Sequence, residues 1–436
     1  MATPPSTITP PPTQVTGVAG ASAAQAPPKR GWRLEAFSSL RHRDYRYLWI
    51  GTICSSAGMW IQQVTLGWLV YDMTGSSVLL GAVNGIRALP FLFTGPFAGV
   101  TADRVDRKKL MLYTQLVLTV TPFIMGVLVL SGRAEVWHIF VFTILTGIGW
   151  SFNQPVRQAL VGSVVPRQDL PNAIALNSAA FNLTRIVGPA VGGLLILLFT
   201  AGGNFLVQGV AYVGVAFMIW RMHVPPNPPV PHGVSVLQSL KEGARWVIHE
   251  PTVRVLMALA WVPAVFGMPY HSLMPIFAED VLHVGPVGLG LLLAATGVGA
   301  FAGAMGVASA NRSENRGRVL LISLACWGAT LVGFSQLSKT GSMPLSMLSL
   351  VITGLFQQTY MATNQTLLQI RIPNELRGRV MSLYMLNMGL QPLGAFFGGV
   401  LAHWIGAPNT VTVMGAMCVV LACIAARVLP ALRRVE

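Results

Sequence analysis

Along most of its length the chain alternates apolar runs of about 20 to 30 residues with short polar connections, and runs of that length can cross a bilayer. With the connections as punctuation, the runs predict helices at 46–72, 77–101, 110–131, 136–163, 172–200 and 204–224. A second set follows at 252–281, 286–309, 318–338, 343–369, 378–404 and 409–430. The expected fold is therefore an all-α membrane protein with twelve transmembrane helices. Between the sets lies HVPPNPPVPHGVSVLQSLKEGARWVIHEP, a proline-rich linker leading into an amphipathic segment from Val236 to His249. Ahead of the first run, MATPPSTITPPPTQVTGVAGASAAQAPPKR is rich in Pro, Thr and Ala and reads as a disordered tail. It lacks the basic start and short apolar core of a signal peptide, so the chain is expected to begin in the cytoplasm. The divisions are then 1–40 for the tail, 41–224 for one six-helix half, 225–250 for a cytoplasmic linker and 251–436 for a second half.

Composition sharpens this picture. Apolar residues make up 53% of the 436 and mean hydropathy is +0.60, while charged residues are 10%. Soluble domains carry about 25% charge, so a soluble core of this size would lack its polar surface. Glycine at 45 and methionine at 19 suit helices that pack closely and slide. The net charge of +15 follows topology. Of 29 Lys and Arg, 25 fall in the tail, the even-numbered connections, the linker, the C-terminus or adjoining helix ends. Only Arg133 and Lys339 lie in the odd-numbered connections, which puts both termini inside the cell. No basic patch is interleaved with base-stacking aromatics, so no nucleic-acid partner is expected. Cys54, Cys326, Cys418 and Cys423 sit within spans without metal-ligand spacing and read as small packing residues; no metal or cofactor is expected. The sequence has no nucleophile–base constellation and no GxxxxGK[ST] loop, which argues against an enzyme or an ATP-driven pump.

The chain also repeats itself at an offset of about 207. TADRVDRKK in the second connection returns as SANRSENRGR in the eighth, and NQPVRQALVGSVVP returns as NQTLLQIRIP. Gly192 and Gly193 match Gly398 and Gly399, and Asp72 matches Asp280 at the outer ends of spans 1 and 7. Two pseudo-symmetric six-helix halves joined by a linker are a transporter architecture, with the substrate site between them near mid-membrane. Here the sequence resembles the major facilitator superfamily over nearly all of its length after residue 45. GVTADRVDRKK looks like that superfamily's signature connection, matched at Gly99, Asp103, Arg104, Arg107 and Lys108, with Asp106 where a glycine is usual. NLTRIVGPAVGG, with Gly188 and Pro189, resembles the Gly-Pro motif of its exporters, and PNELRGRVMSLY points to the enterobactin-exporter and macrolide-efflux branch. The resemblance implies that these residues gate: the aspartate of the loop caps span 11 and holds the cytoplasmic side shut.

Charge within a bilayer is costly, so polar residues inside the spans should face a path or each other. Gln62, Arg87, Asn182, Arg185, Gln357, Asn387 and Gln391 are the candidates for a substrate path. Arg185 lies on one helical face with Ser178, Phe181, Asn182, Gly188 and Gly192, while Arg157, near the cytoplasmic end of span 4, is expected to reach water. Each of these polar residues also reads as a structural hydrogen-bond hub. Trp60, Trp150, Trp261 and Tyr360 suit either an amphiphile site or packing. All 14 carboxylates lie in loops or near helix ends, which leaves Asp72, Glu279, Asp280 and the lone His271 as candidates for proton coupling. The leading expectation is a proton-coupled exporter of amphiphilic drugs or siderophore-like compounds, monomeric, in a bacterial inner membrane. An importer or facilitator of a small metabolite is the second reading, and a membrane enzyme or scaffold the third.

Overall fold

The computed structural model describes residues 37–87, 89–90, 93–94, 105–224, 236–309, 315–385 and 390–428. Among them there is no strand. In hydrocarbon every backbone N–H and C=O needs an internal partner, and a helix supplies it within one segment. The helices are α1 Arg43–Thr74, α2 Ser77–Ile86, α3 Arg107–Leu130, α4 Val136–Val164 and α5 Leu170–Arg221, followed by α6 Val236–His249. Then come α7 Pro251–Val262, α8 Tyr270–Ile276, α9 Gly285–Ser309, α10 Arg316–Ser338 and α11 Met343–Arg371. The last are α12 Asn374–Met385, α13 Gln391–Ile405 and α14 Ala407–Val428. Their outward faces stay apolar: Leu197, Trp220 and Phe397 are 63%, 61% and 61% exposed.

Helix ends follow local chemistry. Gly75 takes the left-handed conformation (φ 57°) that closes α1, and the Ser76 hydroxyl accepts from the Leu79 N–H to open α2. Asp106 caps α3 by accepting from the Lys109 N–H at 2.9 Å. That gives the acid at the expected glycine position a local task. His138 and Glu135 form a reciprocal cap on α4.

Five expected spans differ in detail. The second, expected at 77–101, is a helix only to Ile86, with helical pairs at 89–90 and 93–94 among the described residues after it. The fifth and sixth run together as α5, 52 residues folded back at Thr200 (φ 63°). The seventh is interrupted by π-helical turns at Pro263–Gly267 and Phe277–Val281, beside Pro263, Pro269 and Pro275, which remove backbone donors. The eleventh is described in two parts, α12 and α13, with 386–389 outside the described residues. Seven described helices are both long and apolar enough to cross a membrane, with the folded-back α5 and the composite Pro251–Val281 each taken as one. α1 and α11 are 32 and 29 residues long but more polar, because they carry Gln62, Gln63, Gln357 and Gln358.

The core shows how the chain is joined. One buried cluster (Tyr45, Trp150, Leu160, Leu176 and Tyr212 among its members) draws only on the first block, residues 37–224. The other unites Leu69, Leu80, Phe142 and Phe205 of the first block with Tyr270, Leu292, Trp327 and Tyr360 of the second, residues 236–428. Chain direction puts the shared first-block residues toward the end bearing Gly75 and Gly285, opposite the end that holds most Lys and Arg.

Small residues make that junction possible. A Cβ on Gly81 of α2 would lie 2.7 Å from the Ala395 carbonyl and 3.1 Å from the Gly399 Cα of α13. On α5, a Cβ at Gly193 would overlap the Pro286 carbonyl and stand 3.2 Å from the Gly290 Cα of α9. Such pairs let backbones approach where lipid gives no hydrophobic drive to associate.

Candidate functional site

At the basic end the first block is stapled to itself. Ser39 donates its hydroxyl to the Asp169 carbonyl, and His42 Nε2 lies 2.8 Å from Asp169 Oδ2. The Tyr45 hydroxyl and Trp49 indole donate to the carbonyls of Ala173 and Leu176 on α5. The signature cations join in. Arg107 donates to Ser163 Oγ at 3.2 Å at the end of α4, and Lys108 Nζ to the Met222 carbonyl at 2.7 Å, just past α5. A cation on carbonyls at a helix C-terminus is favourable. Both side chains therefore tie together helices of the first block. Gly99, Asp103 and Arg104 lie outside the described residues, as does Asn387.

Deeper in, a cavity of about 580 Å3 opens between α1, α4 and α5. Its walls mix Trp150, Val161, Ile174 and Phe181 with Thr52, Gln154, Gln158, Asn177 and Asn182. Gln158, Ile174, Ser178 and Phe181 are exposed, so water reaches it from the basic end. Its charged wall residue is Arg157, only 5% exposed. The guanidinium donates to Thr52 Oγ1 (3.1 Å), Ser55 Oγ (3.0 Å) and Asn153 Oδ1 (3.3 Å). Arg157 thus meets the cavity from a buried position, held against α1, rather than standing at a solvated helix end.

Between the blocks sits a smaller pocket, with room for about one water-sized body (10 Å3), lined by Trp60, Gln63, Arg185, Pro189, His271 and Thr296. Arg185 Nη1 donates to Gln358 Oε1 of α11 at 3.2 Å, and its guanidinium lies 6.0 Å from the centre of the Trp60 ring. Arg185 and His271, singled out in the sequence, are thus brought together across the blocks. The Gly-Pro pair is here too. Gly188 seats α5 on Trp60, where a Cβ would stand 2.7 Å from the Trp60 Cβ, and the Pro189 carbonyl meets Gly290 of α9. Toward the opposite end the Tyr71 hydroxyl donates to the Asp280 carboxylate, joining the blocks.

Other candidates are placed apart from the cavities. Gln62, 5% exposed, accepts from Gln208 Nε2 at 2.8 Å and donates to Thr146 Oγ1 at 3.5 Å, all within the first block. Its neighbour Gln63 lines the pocket instead. Gln357 is fully buried, accepting from the Tyr270 hydroxyl at 3.0 Å with Nε2 3.1 Å from Met268 Sδ. A buried amide needs such partners, and these two find them inside one block. Asn182 is half-buried on the large cavity and turns its amide to the Ser178 carbonyl. Arg87 caps α2, half-buried, and Gln391 opens α13. Asp72, Glu279 and Asp280 are all exposed. Of the aromatics, Trp60 and Trp150 line cavities, Tyr360 is buried and donates to the Leu259 carbonyl, and Trp261 is 53% exposed.

A helical membrane protein whose two blocks are joined toward one end, with a polar cavity lined by the first block toward the other, is built as a transporter. A family model described as transmembrane secretion effector matches residues 34–436. The chain belongs to that family, within the major facilitator superfamily, and is a multi-pass transporter of small molecules. It is similar to the staphyloferrin A transporter of Staphylococcus aureus, 24% identical over 85% of this chain and 92% of that one. It is likewise similar to macrolide efflux protein A of Streptococcus pyogenes, 22% identical over 89% and 97%. Among solved structures, a bacterial homolog of the human lysosomal transporter Spinster, inward-facing and unoccupied, shares the fold: TM-score 0.70 at 17% identity, covering 92% of this chain and 99% of that one.

Proposed function

We propose that this chain is a proton-driven exporter of amphiphilic compounds that works by alternating access in a bacterial inner membrane. In this reading twelve spans form two six-helix halves, 41–224 and 251–436, with the linker 225–250 and both termini cytoplasmic. The observation that carries it is the 580 Å3 cavity reached from the basic end, while glycine seams and the Tyr71–Asp280 bond join the blocks at the other. With basic loops inside, that is the form that loads from the cytoplasm. The relative named for macrolide efflux supports the outward direction.

Within this scheme Gly188 and Pro189 shape the inter-half seam, and Arg107 and Lys108 hold the ends of α3, α4 and α5 as one rigid gate. Arg87, Asn182, Arg185 and Gln391 border the path. Asp280 and His271, each at a contact between the halves, are the preferred proton sites, with Asp72 and Glu279 as exposed outer acids. One chain suffices for the path. The test is accumulation of a fluorescent amphiphile in cells with and without expression. Expression should lower it, and a protonophore should abolish the difference. Accumulation indifferent to expression would overturn the reading.

A further inference from the structure

Five residues of α4 meet the large cavity at helical spacing: Trp150, Gln154, Arg157, Gln158 and Val161. Arg157 is held by three neutral oxygens, those of Thr52, Ser55 and Asn153. These fix the guanidinium in place without neutralising it. A guanidinium offers five N–H groups and the four hydrogen bonds here leave one donor over, in a residue that lines the cavity. Among the described residues no acid lines the cavity, and the acids on or flanking α1 and α4 stand at their ends: Asp44, Asp72 and Glu135. Among the described residues this buried cation has no counter-charge.

A second donor waits in the same wall. Trp150 is 6% exposed and its indole Nε1 has no hydrogen-bond partner. Buried indole N–H groups ordinarily find one. The wall between the two donors and the cavity mouth is apolar at Val161, Ile174 and Phe181.

We infer that this cavity selects amphiphiles with an anionic headgroup, such as a carboxylate or sulfonate, received by Arg157 while the apolar body lies along Trp150, Phe181 and Ile174. The inference rests on the export reading for what the cavity is used for. A cation serving only to join α1 to α4 would need no charge, since a neutral amide could bond the same oxygens.

The test uses two probes with one ring frame, 8-anilinonaphthalene-1-sulfonate and the neutral N-phenyl-1-naphthylamine, on the purified full chain in nanodiscs of neutral lipid. The wild type should prefer the sulfonate, and Arg157→Gln should weaken its binding by about tenfold to a hundredfold, the worth of one charged hydrogen bond. The neutral probe should change by less than about threefold, because burial of its rings is untouched. Arg157→Lys should restore part of the preference, since charge remains while the planar fork is lost. Gln154→Glu leaves every Arg157 bond in place and sets a carboxylate nearby. It should abolish the preference, and it decides the matter if Arg157→Gln does not fold. Absence of a sulfonate preference in the wild type, equal weakening of both probes, or an unaltered preference in Gln154→Glu would overturn the inference. Failure of cells to export either probe would sink the export reading instead, while the binding preference still decides this one.

Discussion

At the residue scale, neighbours on one helix divide between holding the protein together and facing its path. Gln62 and Gln63 are adjacent, yet only Gln62 is locked between Gln208 and Thr146, and only Gln63 lines the inter-block pocket. Gln62→Leu should destabilise the protein by about 1–3 kcal/mol, because one N–H of the buried Gln208 amide loses its partner while the other keeps the Gly58 carbonyl. Transport per folded molecule should hold. Gln63→Ala should do the reverse, changing transport with little loss of melting temperature. Equal effects in both assays would erase the distinction. Sequence could nominate both amides by depth but not separate them, since which face of α1 meets α4 depends on packing that no local pattern records. Arg157 was missed for the same reason: its place near a helix end suggested water, and only the fold sets α1 over it.

A second residue-scale case lies at the basic end, outside the membrane. The Asp169 carboxylate is held below the usual range chiefly by its hydrogen bond with His42, then by one with Ser38. A carboxyl with a lowered folded value stabilises the fold above its ordinary value, about 4, and that contribution is lost as pH falls through the lowered one. The melting-temperature gap between wild type and Asp169→Asn should therefore be present near pH 6 and shrink as pH falls below about 4 and through the lowered value. A gap that stays constant across that range would assign the effect to something other than this carboxylate.

At the element scale, α2 against α13 and α5 against α9 are the seams that close the end opposite the basic loops. Gly399 has no room for a side chain, since its Cβ would overlap the Ser77 carbonyl and stand 3.0 Å from the Gly81 Cα. Gly399→Leu should hold that end apart and raise labelling of a cysteine placed at Ser76, with a large loss of transport. Gly214 has nothing within 4 Å of its Cβ, so Gly214→Leu serves as the control. Unchanged labelling in Gly399→Leu would mean that the seam yields. The repeat at an offset of about 207 made Gly192, Gly193, Gly398 and Gly399 legible as matched positions, but not Gly193 as a partner of α9 or Gly399 as a partner of α2. Apolar run length likewise located the helices well. It could not foresee the π-helical turns in 263–267 and 277–281, because proline spacing says where backbone donors are missing and not how the ladder re-forms.

At the scale of the whole molecule, transport requires the closed end to open, so the bonds across it must be breakable. Sequence matching placed Asp72 and Asp280 at equivalent outer ends, whereas the contact is made by Tyr71, one residue earlier, to the Asp280 carboxylate. A hydrogen bond to a carboxylate is stronger than one to a neutral acid. A proton taken up by Asp280 would therefore loosen the latch, and losing it would tighten the latch again. This separates variants that residue matching alone would treat alike. Asp72→Asn, which leaves the Tyr71–Asp280 bond in place, should leave gradient-driven accumulation near that of the wild type. Asp280→Asn should still equilibrate substrate but lose accumulation driven by a pH gradient, and Tyr71→Phe should open the end to cysteine reagents while keeping some pH response. The measurement is substrate accumulation in proteoliposomes with an imposed pH gradient, run beside labelling at the Gly75 end. Full gradient-driven accumulation in Asp280→Asn would remove Asp280 from the coupling step and leave His271, beside Arg185 between the blocks, as the group to change next.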